Sequence, residues 1–144
     1  VLRFFALKND IEHYKFPVAE YLTNYLEGIT TQEKPFDYIK EKEIFDKTFK
    51  IINLNLGDSA FSSITKAKNI KNDFVTYLFD GISIAIANLV DRIAVDKKNV
   101  KIEEKVYDIK IGSELQSYKT GTMSSLNKRI ELFKEGVENV IDER

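Results

Sequence analysis

The sequence predicts an all-α protein, an irregular bundle of about five to six helices around a central apolar helix over residues 73–93. Three observations lead there. Apolar residues recur at i, i+3 and i+4 through most of the chain, the spacing of amphipathic helices. Only two prolines and six glycines interrupt the chain, and they fall at plausible helix boundaries. The stretch from Asp73 to Ile93 is apolar on more than one side, as a helix surrounded by others must be.

The elements follow in order. "VLRFFALKN", residues 1–9, reads as the second half of a helix, since no Ser, Thr, Asp or Asn stands ahead of its first apolar residue. A connection follows, and Pro17 suits the first turn of the next helix, where a missing N–H costs nothing. That helix carries Val18, Tyr21, Leu22, Tyr25 and Leu26 on one face, and Gly28 is placed to cap it. Pro35 opens a longer helix to Leu56, with Phe45, Phe49, Ile52 and Leu56 as its stripe and Gly57 as its stop. The polar connection after it holds two apolar residues, Phe61 and Ile64, expected to plug into the core. The central helix then brings Phe74, Val75, Leu78, Phe79, Ile82 and Leu89. Residues 100–118 fit two patterns. Ile102, Val106 and Ile109 suit a helix, whereas Tyr107, Ile109 and Ile111 alternate as in a strand; the Glu and Lys content favours the helix. The last helix carries Leu126, Ile130, Phe133, Val137 and Ile141, with Thr122 or Ser124 as its N-cap.

A chain of 144 residues suits one domain, here 1–144, with a core large enough to need no staples. It has no cysteine, which removes disulfides, Cys-ligated zinc and thiol catalysis, and fits a reducing cytoplasm. A single histidine excludes a two-His metal site or a His-pair nuclease motif within these residues. No cofactor site is expected. Charged residues make up 31% but balance to −1, so nucleic-acid binding would need a local patch rather than a basic domain. The longest uncharged run, residues 81–90, is half the length of a membrane span, which needs about 20 apolar residues; no membrane partner is expected.

A few residues stand out against this background. Arg3 lies between Leu2 and Phe4, and Asp80 between Phe79 and Gly81 in the most apolar helix. Each must reach solvent or find a partner, because an unpaired buried charge costs several kcal/mol. They could pair with each other, as a structural ion pair or as a pocket that takes an anion. Lys66, Lys68 and Lys71 cluster in "TKAKNIKN" beside Ser62, Ser63 and Thr65. Such a loop suits phosphate contacts of the sequence-independent kind, and equally suits plain solvation. His13 has no Ser or Asp arrangement around it that would make it catalytic. No glycine-rich phosphate loop is present, and the pair Glu103–Glu104 reads as surface.

The order of four segments resembles the GmrSD-type restriction endonuclease family, in its GmrS half. "VLRFFAL" (1–7) is similar to a segment of the form E-x-V-L-R-F-x-A that directly follows the family's catalytic module. "FDKTFKIINLNLGDSAF" (45–61) resembles a helix ending in Gly57 with a loop aromatic, Phe61. "NDFVTYLFDGISIAIANL" (72–89) resembles the apolar helix after it, and "TGTMSSLNKRIELFKEGVENVI" (120–141) a hydroxyl-rich turn with an "R-I" helix, here Arg129 and Ile130. The resemblance implies a full-length protein that begins with a fold similar to ParB and sulfiredoxin, carries a D-G-Q-Q-R-type motif tied to nucleotide hydrolysis and nuclease function, and acts in defence against phage or modified DNA. Many members add a His-Asn-His-type nuclease. This chain contains neither motif, so no catalytic residue carries over. It corresponds to the helical part that follows the ParB-like module, with that module as its expected partner, DNA as a further candidate contact, and a scaffold or domain-interface role. The alternative is a free-standing helical protein–protein interaction module.

Overall fold

The computed structural model describes residues 1–143 and is all-helical, with no β-strand among them. The seven helices are α1 (Leu2–Asn9), α2 (Val18–Thr30), α3 (Tyr38–Leu56), α4 (Thr76–Asn88), α5 (Val100–Ile111), α6 (Ser113–Gln116) and α7 (Met123–Asp142). They exceed the expected five to six because the 100–118 segment breaks at Gly112, whose backbone is extended, into α5 and α6. No strand forms there, since helical spacing already buries Ile102 and Val106.

Helix α4 is the centre. It packs on α7, α3 and α1, and nine of its residues are buried, from Leu78 to Ala87. It is shorter than the predicted 73–93. Val75 is extended and starts it late, which leaves Phe74 outside the helix and 65% exposed. Leu89 leaves helical geometry at the other end, and Val90–Arg92 form a 3-10 turn. Arg92 fastens that turn to α7 through Glu138 (2.6 Å) and Asp142 (2.5 Å).

Two other expected boundaries move. Gly28 does not cap α2 but sits inside it, where the stem of Lys34 packs so close that a Cβ would meet it at 2.7 Å. Helix α3 begins after Asp37, not at Pro35, because the Asp37 carboxylate accepts from the Lys40 N–H and supplies the cap. Pro17 occupies the N-cap of α2, one place before the first turn. Gly57 ends α3 as expected, with a φ of 65° that favours glycine. Thr122, rather than Ser124, caps α7 by accepting from Ser125 N–H. Of the two loop residues expected in the core, Phe61 packs against it, while Ile64 is half-buried and pairs in a single bridge with Ile70.

The buried residues form two clusters. One is mostly aliphatic: Ile51, Leu78, Ile82, Ile86, Ile102 and Val106, with Phe133 among them. The other is built on aromatics around α1 and α2: Phe4, Tyr14, Tyr21 and Tyr25, with Phe45, Phe49 and Phe79 packed against it. Phe4 makes edge contacts with Phe5, Phe45 and Phe49 at ring separations of 5.4 Å. Tyr21 donates to the carbonyls of Ala6 and Asp10 at 2.8 and 3.0 Å, and so closes the C-terminal end of α1. Burial pushes its hydroxyl well above the ordinary tyrosine range. No helix among the described residues is long and apolar enough to cross a membrane.

Candidate functional site

Four arrangements hold the residues that could carry function. The first joins α1 to α4. Arg3 and Asp80 form a two-pronged ion pair, with Arg3 Nε donating to Oδ1 at 2.6 Å and Nη2 to Oδ2 at 2.5 Å. Asp80 is 1% exposed and Arg3 24%. The fork geometry is the one in which a guanidinium and a carboxylate bind most strongly. The carboxylate raises the Arg3 pKa further above its ordinary value. A second arginine, Arg129 of α7, lies 3% exposed against the same α4 surface. It donates to the carbonyls of Tyr118 and Thr120 at 2.5 and 2.8 Å, while its Nε has no partner among the described residues. Burial lowers the Arg129 pKa and the field of Asp80 opposes that shift. Asp80 thus faces two guanidiniums at the junction of three helices. The arrangement ties α1 to α4.

The second surrounds His13. Its Nδ1 lies 2.6 Å from Asp10 Oδ1, and Lys34 Nζ donates to Asp10 Oδ2 at 2.7 Å. Desolvation acts to raise the Asp10 pKa, but the bonds from Lys34 and His13 outweigh it and hold the carboxyl below the ordinary range. Asp10, Glu12 and His13 could reach a common point, yet both Asp10 oxygens are already engaged. The group anchors the turn after α1 to Lys34.

The third is the loop between α3 and α4. Lys66, Lys68 and Lys71 are all exposed on it. Lys71 approaches Asp73 at 3.9 Å, and Lys68 adopts a φ of 65° while its carbonyl accepts from the Tyr107 hydroxyl. The loop is held from inside. Asp73 accepts from the Ser63 N–H and hydroxyl at 2.8 and 2.5 Å. Lys110 of α5 reaches up and donates to the carbonyls of Ser59, Ala60 and Ser62 at 3.2, 2.8 and 2.9 Å. Burial pushes the Lys110 amine down to about 8. The sequence does not mark Lys110, and it marks Arg129 only as part of the resembled R-I segment, though both interrupt an apolar stripe, after Val106 and Ile109 in one case and between Leu126 and Phe133 in the other.

The fourth is an apolar groove of about 710 Å³ beside the first turn of α1. Val1, Leu2, Phe5, Leu26, Ile29 and Phe36 line it, drawn from α1, α2 and the segment before α3. Its only charged lining residues, Lys42 and Asp46, pair with each other at 2.5 Å. Val1 and Leu26 are exposed, and Tyr38 and Ile39 extend the apolar surface past the groove. Solvated clefts are seldom this apolar, and such surfaces commonly meet another protein surface.

No family model, curated protein or solved structure matches the chain.

Proposed function

We propose that this chain is the non-catalytic helical segment of a GmrSD-like defence protein, and that it serves as a scaffold on which the ParB-like module of that family docks. The observation that supports this reading is the position of the apolar groove. It surrounds Val1, Leu2 and Phe5, and in the resembled family the V-L-R-F segment lies directly after that module. A domain seated there would cover Leu26, Ile29 and Phe36 together with the first turn of α1. The Arg3–Asp80 pair would transmit its position to the central helix, because α1 has no other charged tie to α4 among the described residues. Nucleotide hydrolysis and strand cleavage would belong to the docked module and not to these residues.

The coding sequence upstream of Val1 tests the family assignment. A D-G-Q-Q-R-type motif within roughly one domain length, about 150 residues, is the expected finding; a start codon immediately before Val1 overturns it. The docking role is tested by adding that module as a separate polypeptide and measuring association by calorimetry. Leu26→Asp and Ile29→Asp should each weaken it by at least about tenfold, about 1.4 kcal/mol, with circular dichroism unchanged. No association with the wild-type chain overturns the docking role. A free-standing interaction module, the alternative, would use the same groove for a different protein.

A further inference from the structure

The turn that ends α1 carries an inference that does not depend on the family reading. Asp10 leaves helical geometry with a φ of −143°, and Ile11–His13 follow as a single 3-10 turn. Residues three apart eclipse one another in such a turn, so His13 stands over Asp10 with Glu12 beside it. The backbone there is pinned. The His13 N–H donates to the Asp10 carbonyl at 3.1 Å, and the buried Tyr21 hydroxyl donates to the same oxygen at 3.0 Å.

Two carboxylates and one imidazole are thereby gathered, with ligand atoms that all lie within 4.8 Å of one another. His13 Nδ1 is 2.6 Å from Asp10 Oδ1 and 3.9 Å from Glu12 Oε1. Around a tetrahedral ion with bonds of about 2.0–2.2 Å, ligand atoms sit about 3.3 Å apart, so one separation must open and the other close by about 0.6–0.7 Å. Side chains alone can make these movements, since those of His13 and Glu12 are 66% and 65% exposed. Of the two Asp10 oxygens only Oδ1 changes partner. Oδ2 keeps Lys34 at 2.7 Å, the kind of outer contact that orients a ligating carboxylate. The set faces a cleft of about 510 Å³. Asp10, Glu12, Asp37 and Glu41 line it against the ammoniums of Lys34 and Lys40, and with Lys8 paired to Glu41 one negative charge is left over. The C-terminal end of α1 adds its own partial negative charge. Tyr25, 2% exposed, lines the same cleft. Its hydroxyl accepts from Asn9 at 3.1 Å, and its own proton meets no acceptor among the described residues. Burial raises the Tyr25 pKa and the charges of Glu41 and Asp10 add to the rise, so that proton stays in place.

We infer that Asp10 Oδ1, Glu12 Oε1 and His13 Nδ1 bind one divalent transition-metal ion of the zinc class, with a water from the cleft as its fourth ligand. The donor set decides the class: imidazole suits zinc and cobalt, whereas magnesium and calcium take oxygen ligands. The ion takes the place of the hydrogen bond between His13 and Asp10, and the imidazole then carries its proton on Nε2. Three protein ligands and one open position are the arrangement that presents a metal-bound water, and the unspent Tyr25 hydroxyl gives the cleft a donor for an oxygen ligand.

The chain has a single histidine, so one imidazole reports the site. The test is a titration of the untagged chain with zinc chloride, followed by the nitrogen NMR resonances of that ring and by calorimetry. The Nδ1 resonance should shift and saturate at one ion per chain, while magnesium chloride at the same concentration leaves it unmoved. Glu12→Gln should weaken zinc binding at least about tenfold, and His13→Gln at least as much, since disturbing even the outer partners of a metal ligand costs about 10–100-fold. Glu104→Gln, an exposed carboxylate on α5 outside the cleft, should change nothing. The substituted side chains are exposed, so the fold should persist; circular dichroism checks it. No shift of the ring, a shift centred on Nε2 instead of Nδ1, or binding indifferent to Glu12→Gln would each overturn the inference, the last by showing an adventitious ion on a lone imidazole.

Discussion

The two halves of the core are built differently. Around α4, α5 and α7 the buried residues are mainly Ile, Leu and Val. Around α1 and α2 they include Phe4, Tyr14, Tyr21 and Tyr25, with Phe5, Phe45, Phe49 and Phe79 packed against them, and the packing continues outward into an apolar groove. Aliphatic side chains at helical spacing fill a closed interior in well-defined rotamers. Large rings contribute much area each but leave edges, and here the edges of Phe5, Phe36 and Tyr38 form a chain of contacts leading to solvent. The aromatic half is the one that opens onto a groove lined almost wholly by apolar side chains.

That contrast can be broken by substitution. Phe133→Ala, in the aliphatic half, should destabilise the protein by about 4 kcal/mol, because the ring is fully buried and its neighbours cannot collapse onto the space. Asp80→Asn, at the junction of the halves, should cost about 3 kcal/mol by leaving the Arg3 and Arg129 guanidiniums without their shared counter-charge. Phe5→Ala, at the open edge, should cost only about 1 kcal/mol. Chemical denaturation of the three variants measures this order; a Phe5→Ala loss equal to that of Phe133→Ala would remove the distinction.

The smallest effect is one of pH. Lys110 titrates at about 8 in the fold, below its ordinary 10.5, so between those values the unfolded chain holds the extra proton. Stability should therefore rise as pH increases from about 8, at well under the roughly 1.4 kcal/mol per unit of a full proton difference. Tyr21 and Tyr25 act in the opposite sense: their pKa values are raised in the fold, so their contribution is lost above the ordinary tyrosine value of 10. The rise should be read below that point, and Lys110→Met should abolish it.

Much of the fold was legible because helical spacing, Gly57 and Thr122 are local signals. The misplaced boundaries had local causes too, but ones that compete. Asp37 out-competed Pro35 as the start of α3, and Gly28 served close packing of Lys34 rather than a stop. At the candidate sites, Arg3 and Asp80 could be singled out because each stands among apolar neighbours. Their geometry could not be read, since 77 residues separate them. The buried roles of Lys110 and Arg129 could not be read because a long cation on a helix is ordinarily a solvated one. Their partners are backbone carbonyls, which leave no mark in a sequence. The groove escaped for a related reason: Val1, Leu26 and Phe36 look like core residues until the fold fails to cover them.

The separation of Arg3 from Asp80 has a meaning in chain entropy. The Arg92 contacts between the end of α4 and α7 close loops of 46 and 50 residues, whereas seating α1 on α4 closes one of 77. Closure cost grows only as the logarithm of loop length, but it falls due before the contact can repay it. Helices α1 and α2 are thus expected to join late in folding and to leave first in sub-global opening, as one cooperative unit hinged near Pro35. The half of the core that offers the groove is also the half that the rest of the protein can temporarily do without.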